Sequence, residues 1–69
     1  MQPRLLNRLR QERERLGLTQ AELAQRVGVL RKTINTIENL VFAPSALLAI
    51  RLACHVGLTV EELFWIEEP

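Results

Sequence analysis

The 69-residue chain contains one cysteine, one histidine, three glycines, three prolines and no tyrosine; two phenylalanines and one tryptophan are its only aromatics. Each scarcity excludes something. The single cysteine, Cys54, rules out an internal disulfide, and its expected role is a small apolar filler in a reducing compartment. With so few aromatics, a core must be aliphatic, which suits packed helices better than sheets. His55 and Cys54 alone make no metal-ligand set, and no metal site is expected. There is no phosphate-binding glycine loop and no nucleophile placed with a base. Enzyme chemistry and cofactors are therefore not expected. No apolar run is long enough to cross a bilayer, and Arg4, Arg8 and Arg10 interrupt any signal-peptide pattern. The expected location is the cytoplasm, with no membrane partner.

Net charge is also scarce, at +1. Its distribution is not even. Eight of the nine basic residues lie between Arg4 and Lys32, against three acids, and five acids follow against Arg51 alone. The positive field belongs to the N-terminal half. Sixty-nine residues make a single domain, spanning 1–69. A chain of this size buries only about 60% of its unfolded surface, so it must be compact or oligomeric.

Apolar periodicity, glycines and capping residues predict five short helices and no strand. The first runs from near Arg4 to Leu16, with Leu5, Leu6, Leu9 and Leu16 on one side and Gly17 as its stop. The second begins at Thr19, whose spacing to Glu22 is that of a capping box, and ends at Gly28. The third covers about Arg31 to Glu38, with Ile34 and Ile37 inward and Lys32, Asn35 and Thr36 outward. Ser45 caps the fourth, which Gly57 ends near Val56. Thr59 and Glu62 repeat the capping-box spacing at the fifth.

The second and third helices, joined at Gly28, form a helix-turn-helix. Thr19-Gln20 at its start, Ala24, Gly28, Ile34, Ile37 and the following Ile-Glu-Asn together resemble the phage-repressor-like (Cro/CI, XRE) regulators over about Leu9 to Phe64. The resemblance implies a compact all-α, five-helix, lambda-repressor-like domain. Its function would be that of a sequence-specific transcriptional regulator whose third helix enters the major groove of double-stranded DNA as one half of a dimer. Gln20 would contact phosphate and buttress the third helix. Arg31 and Lys32 would reach base edges in its first turn, where a basic side chain pairs with guanine. Thr36 and Asn35 follow one turn later, Asn35 as an adenine reader of short reach. Thr33 flanks this face, and Asn39 would donate to phosphate or cap the helix. Arg13 and Glu38 would pair beneath the surface; otherwise they are two exposed charges.

Three departures bear on that reading. Leu30 stands where the family usually has a capping serine or threonine. Leu40 and Val41 stand where it usually has glycine and a basic residue. A left-handed Leu40 would be strained, so a rebuilt loop is expected. Leu40, Val41, Phe42 and Leu47 gather apolar side chains around this loop. Phe42 either plugs the core or joins an exposed cluster. Trp65 and Ile66 form a second apolar group, and either group is a candidate homodimer contact. The alternative function is a protein-interaction module of the same fold, antitoxin-like or an assembly partner, with a partner protein and weakened DNA binding. A DNA-binding domain cut from a longer chain is a third reading; Met1 and the acidic C-terminus favour a complete small protein.

Overall fold

Asn7 decides where the first helix starts. Its Oδ1 accepts the Leu9 N–H at 3.0 Å, and its amide donates to the Ile37 carbonyl at 3.1 Å. A side chain engaged in this way competes with helical backbone bonding. The computed structural model, which describes residues 3–68, accordingly has a strand, β1 (Arg4–Asn7), before helix α1 (Leu9–Arg15). β1 pairs antiparallel with β2 (Phe64–Glu67) in the register Arg4↔Glu67, Leu5↔Ile66, Leu6↔Trp65 and Asn7↔Phe64. The Arg8 N–H carries the ladder on to the Leu63 carbonyl at 3.1 Å.

Two expectations are corrected here: the helix does not begin at Arg4, and strands are present. The leucines near the N-terminus mimic a helical stripe, but their partner is the far end of the chain. A two-stranded ribbon is marginal alone. This one rests on the helices through Asn7 and through the buried Phe64. Leu5 and Leu16, expected inward, are exposed.

The other boundaries follow local chemistry. Helix α2 (Gln20–Val27) starts in a capping box: Thr19 Oγ1 accepts the Glu22 N–H at 3.0 Å, and the Glu22 carboxylate accepts the Thr19 N–H at 2.8 Å. Gly28 ends α2 in the left-handed region at φ 78°. Helix α3 (Arg31–Glu38) follows. Helix α4 (Ala46–Val56) is capped by Ser45, and α5 (Val60–Leu63) by the Thr59–Glu62 box. The five helices meet around Leu9, Leu23, Ile34, Ile37, Leu52 and Leu63, which no solvent reaches; every helix contributes at least one. Phe42 is 49% exposed and does not plug this core. Phe64, brought in by β2, is the buried aromatic. Cys54 is exposed on α4 rather than a core filler.

The loop after α3 keeps its left-handed turn with a leucine in it. Leu40 has φ 62°, and its N–H bonds to the Ile37 carbonyl at 3.1 Å while the Val41 N–H reaches Thr36 at 2.9 Å. The loop is therefore not rebuilt, contrary to expectation. These backbone bonds hold Leu40 where a side chain costs about 1–2 kcal/mol. Leu40→Gly should raise the unfolding free energy by about 1 kcal/mol in denaturant titration. Unchanged or lowered stability would mean that Leu40 contacts offset the strain.

Candidate nucleic-acid interface

A charge is buried at the junction of α1, α2 and α3. The Glu38 side chain has 0% exposure and accepts four hydrogen bonds. Arg13 supplies two, from Nε to Oε2 at 2.7 Å and from Nη2 to Oε1 at 3.2 Å. Gln20 Nε2 donates at 3.1 Å and Arg10 Nε at 3.4 Å. Burial opposes ionisation of the carboxyl, but the bonds from Arg13, Gln20 and Arg10 outweigh it and hold Glu38 below the usual carboxylate range. Its bond to Glu38 keeps the Arg13 guanidinium all the more firmly protonated. Arg13 Nη1 also donates to the Leu18 carbonyl at 2.9 Å, fixing the α1–α2 turn.

The network reaches the outer face of α3. Gln20 Nε2 also donates to Asn35 Oδ1 at 3.2 Å, and Asn39 Nδ2 donates to the same oxygen at 3.2 Å. Arg10 Nη2 donates to Asn39 Oδ1 at 3.0 Å. Gln20 thus buttresses α3, with its amide hydrogens committed to Asn35 and Glu38. Asn35 has its oxygen occupied, while its amide hydrogens make no bond among the described residues. Bidentate adenine reading needs both ends of an amide, so Asn35 is equipped as a donor only. Arg10 is a member that sequence reasoning missed. It lies one helical turn before Arg13, and that spacing was the available signal.

Arg31 and Lys32 are exposed and make no side-chain hydrogen bond or ion pair among the described residues. With Asn35 they line an open hollow of about 340 Å³. Thr33 is half-buried, and Thr36 Oγ1 is turned back onto the Thr33 carbonyl at 2.9 Å. Leu30 stands at the N-cap of α3 without a side-chain capping bond. Leu40, Val41, Leu47, Trp65 and Ile66 are all exposed, but not as two separate groups. Strand alternation places Ile66 with Leu5 on one face of the ribbon, and Trp65 with Leu6 on the other. Leu5 borders a hollow shared with Leu40, Val41 and Phe42. Trp65 instead lies under the Arg8 guanidinium, 5.4 Å from ring centroid to Cζ.

Removing either partner of the Arg13–Glu38 pair strands a buried group, at a cost of about 3–5 kcal/mol. Arg13→Ala and Glu38→Ala should each destabilise on that scale, with the double variant less harmed than their sum; additivity would show no coupling. Glu38 releases its proton at lower pH when folded than when unfolded. The unfolded chain therefore binds more protons in the acid range. This contribution is complete above the ordinary carboxylate range and disappears as pH falls through Glu38's depressed value. Glu38→Gln should flatten the acid limb of a stability–pH curve; an unchanged limb would assign that dependence elsewhere.

The helix-turn-helix family model matches residues 9–63. An uncharacterized HTH-type transcriptional regulator of Methanothermobacter thermautotrophicus is 46% identical over 61 residues, which are 87% of this chain and 88% of that protein. The uncharacterized HTH-type transcriptional regulator YgzD of Bacillus subtilis is 37% identical over 62 residues, covering 90% and 94%. Among solved structures, the clp gene regulator ClgR from Corynebacterium glutamicum superposes with TM-score 0.72 at 26% identity, over 78% of this chain and 57% of ClgR. Matched along most of its length and carrying the α2–Gly28–α3 unit over a buried Arg13–Glu38 pair, the chain belongs to the helix-turn-helix family of XRE type and is a DNA-binding transcriptional regulator, not an enzyme.

Proposed function

We propose that α3 reads its operator from the major groove through Arg31 and Lys32, with Asn35 as an added donor and Thr33, Thr36 and Asn39 at the margins. The observation that carries this reading is the contrast within one surface. The polar side chains of the α1–α2–α3 junction are bonded to one another, whereas Arg31 and Lys32 point outward with their donors uncommitted. Uncommitted cations at the N-terminal turn of a helix braced from behind suit guanine O6 and N7, or phosphate. Gln20 serves as the brace, and the phosphate contact comes from the remaining Asn39 amide hydrogen.

Binding is proposed to involve two copies on a two-fold site, since one recognition helix makes few base contacts. The surface proposed to fit a second copy is the one where Leu5, paired with Ile66 across the ribbon, borders the hollow of Leu40 and Val41. It combines a ribbon face with a loop, and Ile66 is 60% exposed. Leu47 extends the apolar surface at the start of α4. Trp65, on the other face of the ribbon with Arg8 over its ring, contributes less. A cytoplasmic location accords with DNA as the partner; among the described residues no helix is long and apolar enough to cross a membrane. The competing reading, a protein-interaction module, is favoured by the exposed apolar loop but leaves Arg31 and Lys32 without a task.

Arg31→Ala and Lys32→Ala should each weaken binding to a site selected from random duplexes by about 10- to 100-fold, the worth of one good base contact. The melting temperature should stay nearly constant. Wild-type affinity in both variants would overturn the recognition-helix assignment. Sedimentation should find a dimer that Leu40→Lys or Ile66→Lys converts to monomer. A wild-type chain monomeric both free and on DNA would overturn the two-copy reading.

A further inference from the structure

Lys32 divides the outer surface of α3 lengthwise. On one side lie Arg31 and Asn35. On the other, Leu30, Thr33, Thr36, Val41 and Phe42 surround a second hollow, about 350 Å³, with Lys32 as the shared wall. Its lining is apolar in kind. The Thr36 hydroxyl donates to the Thr33 carbonyl at 2.9 Å, so its hydrogen is not offered to the hollow. Leu30 is 74% exposed at the N-cap, where a hydroxyl would have capped the helix. The chain thus gives up a capping bond, worth about 1 kcal/mol, and holds a large apolar side chain at the rim of the reading face.

We propose that this second hollow receives the 5-methyl group of thymine, and that Leu30 is a specificity-determining residue beside Arg31 and Lys32. The inference rests on the DNA-reading role of α3 proposed above. Thymine's methyl is the one apolar group among the edges that base pairs show in the major groove. The hollow is continuous with the polar reading surface through Lys32, so a groove that brings base edges to Arg31 and Lys32 brings a neighbouring edge to Leu30. A thymine there removes its methyl and the Leu30 side chain from water together. A purine in its place would set polar N7 and its exocyclic group against leucine without a partner. Selectivity then comes from exclusion as well as attraction.

The test uses the full chain and a duplex selected from a random pool, with affinities measured by fluorescence anisotropy at one fixed salt concentration. Selected sites should carry thymine at a constant step from the guanine position lost in the Arg31→Ala variant. Each such thymine is then replaced by deoxyuridine, which deletes the methyl and keeps every hydrogen-bonding group. Wild-type affinity should fall about fourfold per methyl, as expected for burial of one such group. Leu30→Ser regains a capping hydroxyl, should remain folded by circular dichroism, and should bind thymine and deoxyuridine duplexes alike. Tight binding indifferent to deoxyuridine at every position overturns this proposal and leaves the role of α3 intact. Methyl sensitivity that survives in Leu30→Ser overturns the assignment to Leu30. Failure to select or bind any duplex overturns the DNA-reading role itself, and this inference with it.

Discussion

The buried carboxylate of Glu38 is the constraint on which the placement of α3, and with it the proposed reading surface, depends. It sits at the last turn of α3, with no solvent exposure and four hydrogen bonds from three side chains. Those donors come from α1 and α2, so satisfying one charge fixes three helices relative to one another. An apolar cluster could bury as much area, but it would tolerate a small rotation of α3. A bidentate guanidinium does not, because its two bonds set direction as well as distance. For a domain whose total stability is about 5–15 kcal/mol, such a pair matters most as a positioning device.

That arrangement also sorts the polar side chains on and beside α3 by task. Asn35, Gln20 and Asn39 are drawn into the network around Glu38, and part of their hydrogen-bonding capacity is used there. Arg31 and Lys32 make no side-chain bond to it. Residue type alone would rank Asn35 with them as a reader. The bonds already made reduce Asn35 to a donor and make Gln20 a brace.

The apolar departures change the surface without changing the fold. Leu30 removes a side-chain cap, but α3 retains Ile34 and Ile37 wholly buried, and that burial outweighs a lost capping bond. Leu40 accepts a left-handed backbone because the bonds from its own N–H and that of Val41 back to α3 hold the turn. The result is the family fold with apolar side chains at the N-cap of α3 and in the loop that follows it. Leu5, raised beside the loop by the ribbon, extends that surface beyond the loop.

Much of this was legible in the sequence. Thr19, Ser45, Thr59, Gly28 and Gly57 mark helix ends by local chemistry, since a capping hydroxyl or a left-handed glycine acts within one turn of chain. Ile34 and Ile37 orient α3 by periodicity alone, and Arg31 and Lys32 follow as its outward residues. The ribbon was not legible. Its two strands lie at opposite ends of the chain, and the leucines of β1 fit a helical stripe as well as a strand until β2 supplies the partner. Arg10's part in the network, the occupied oxygen of Asn35, the exposure of Phe42 and the junction of Leu5 with the Leu40 loop were decided only by tertiary structure. Each depends on distances between segments far apart in sequence. Apart from the start of α1, which the ribbon and the Asn7 bond to Ile37 set, local chemistry determines where the helices begin and end; which polar atoms remain free, and which apolar ones remain uncovered, is settled only when the helices meet.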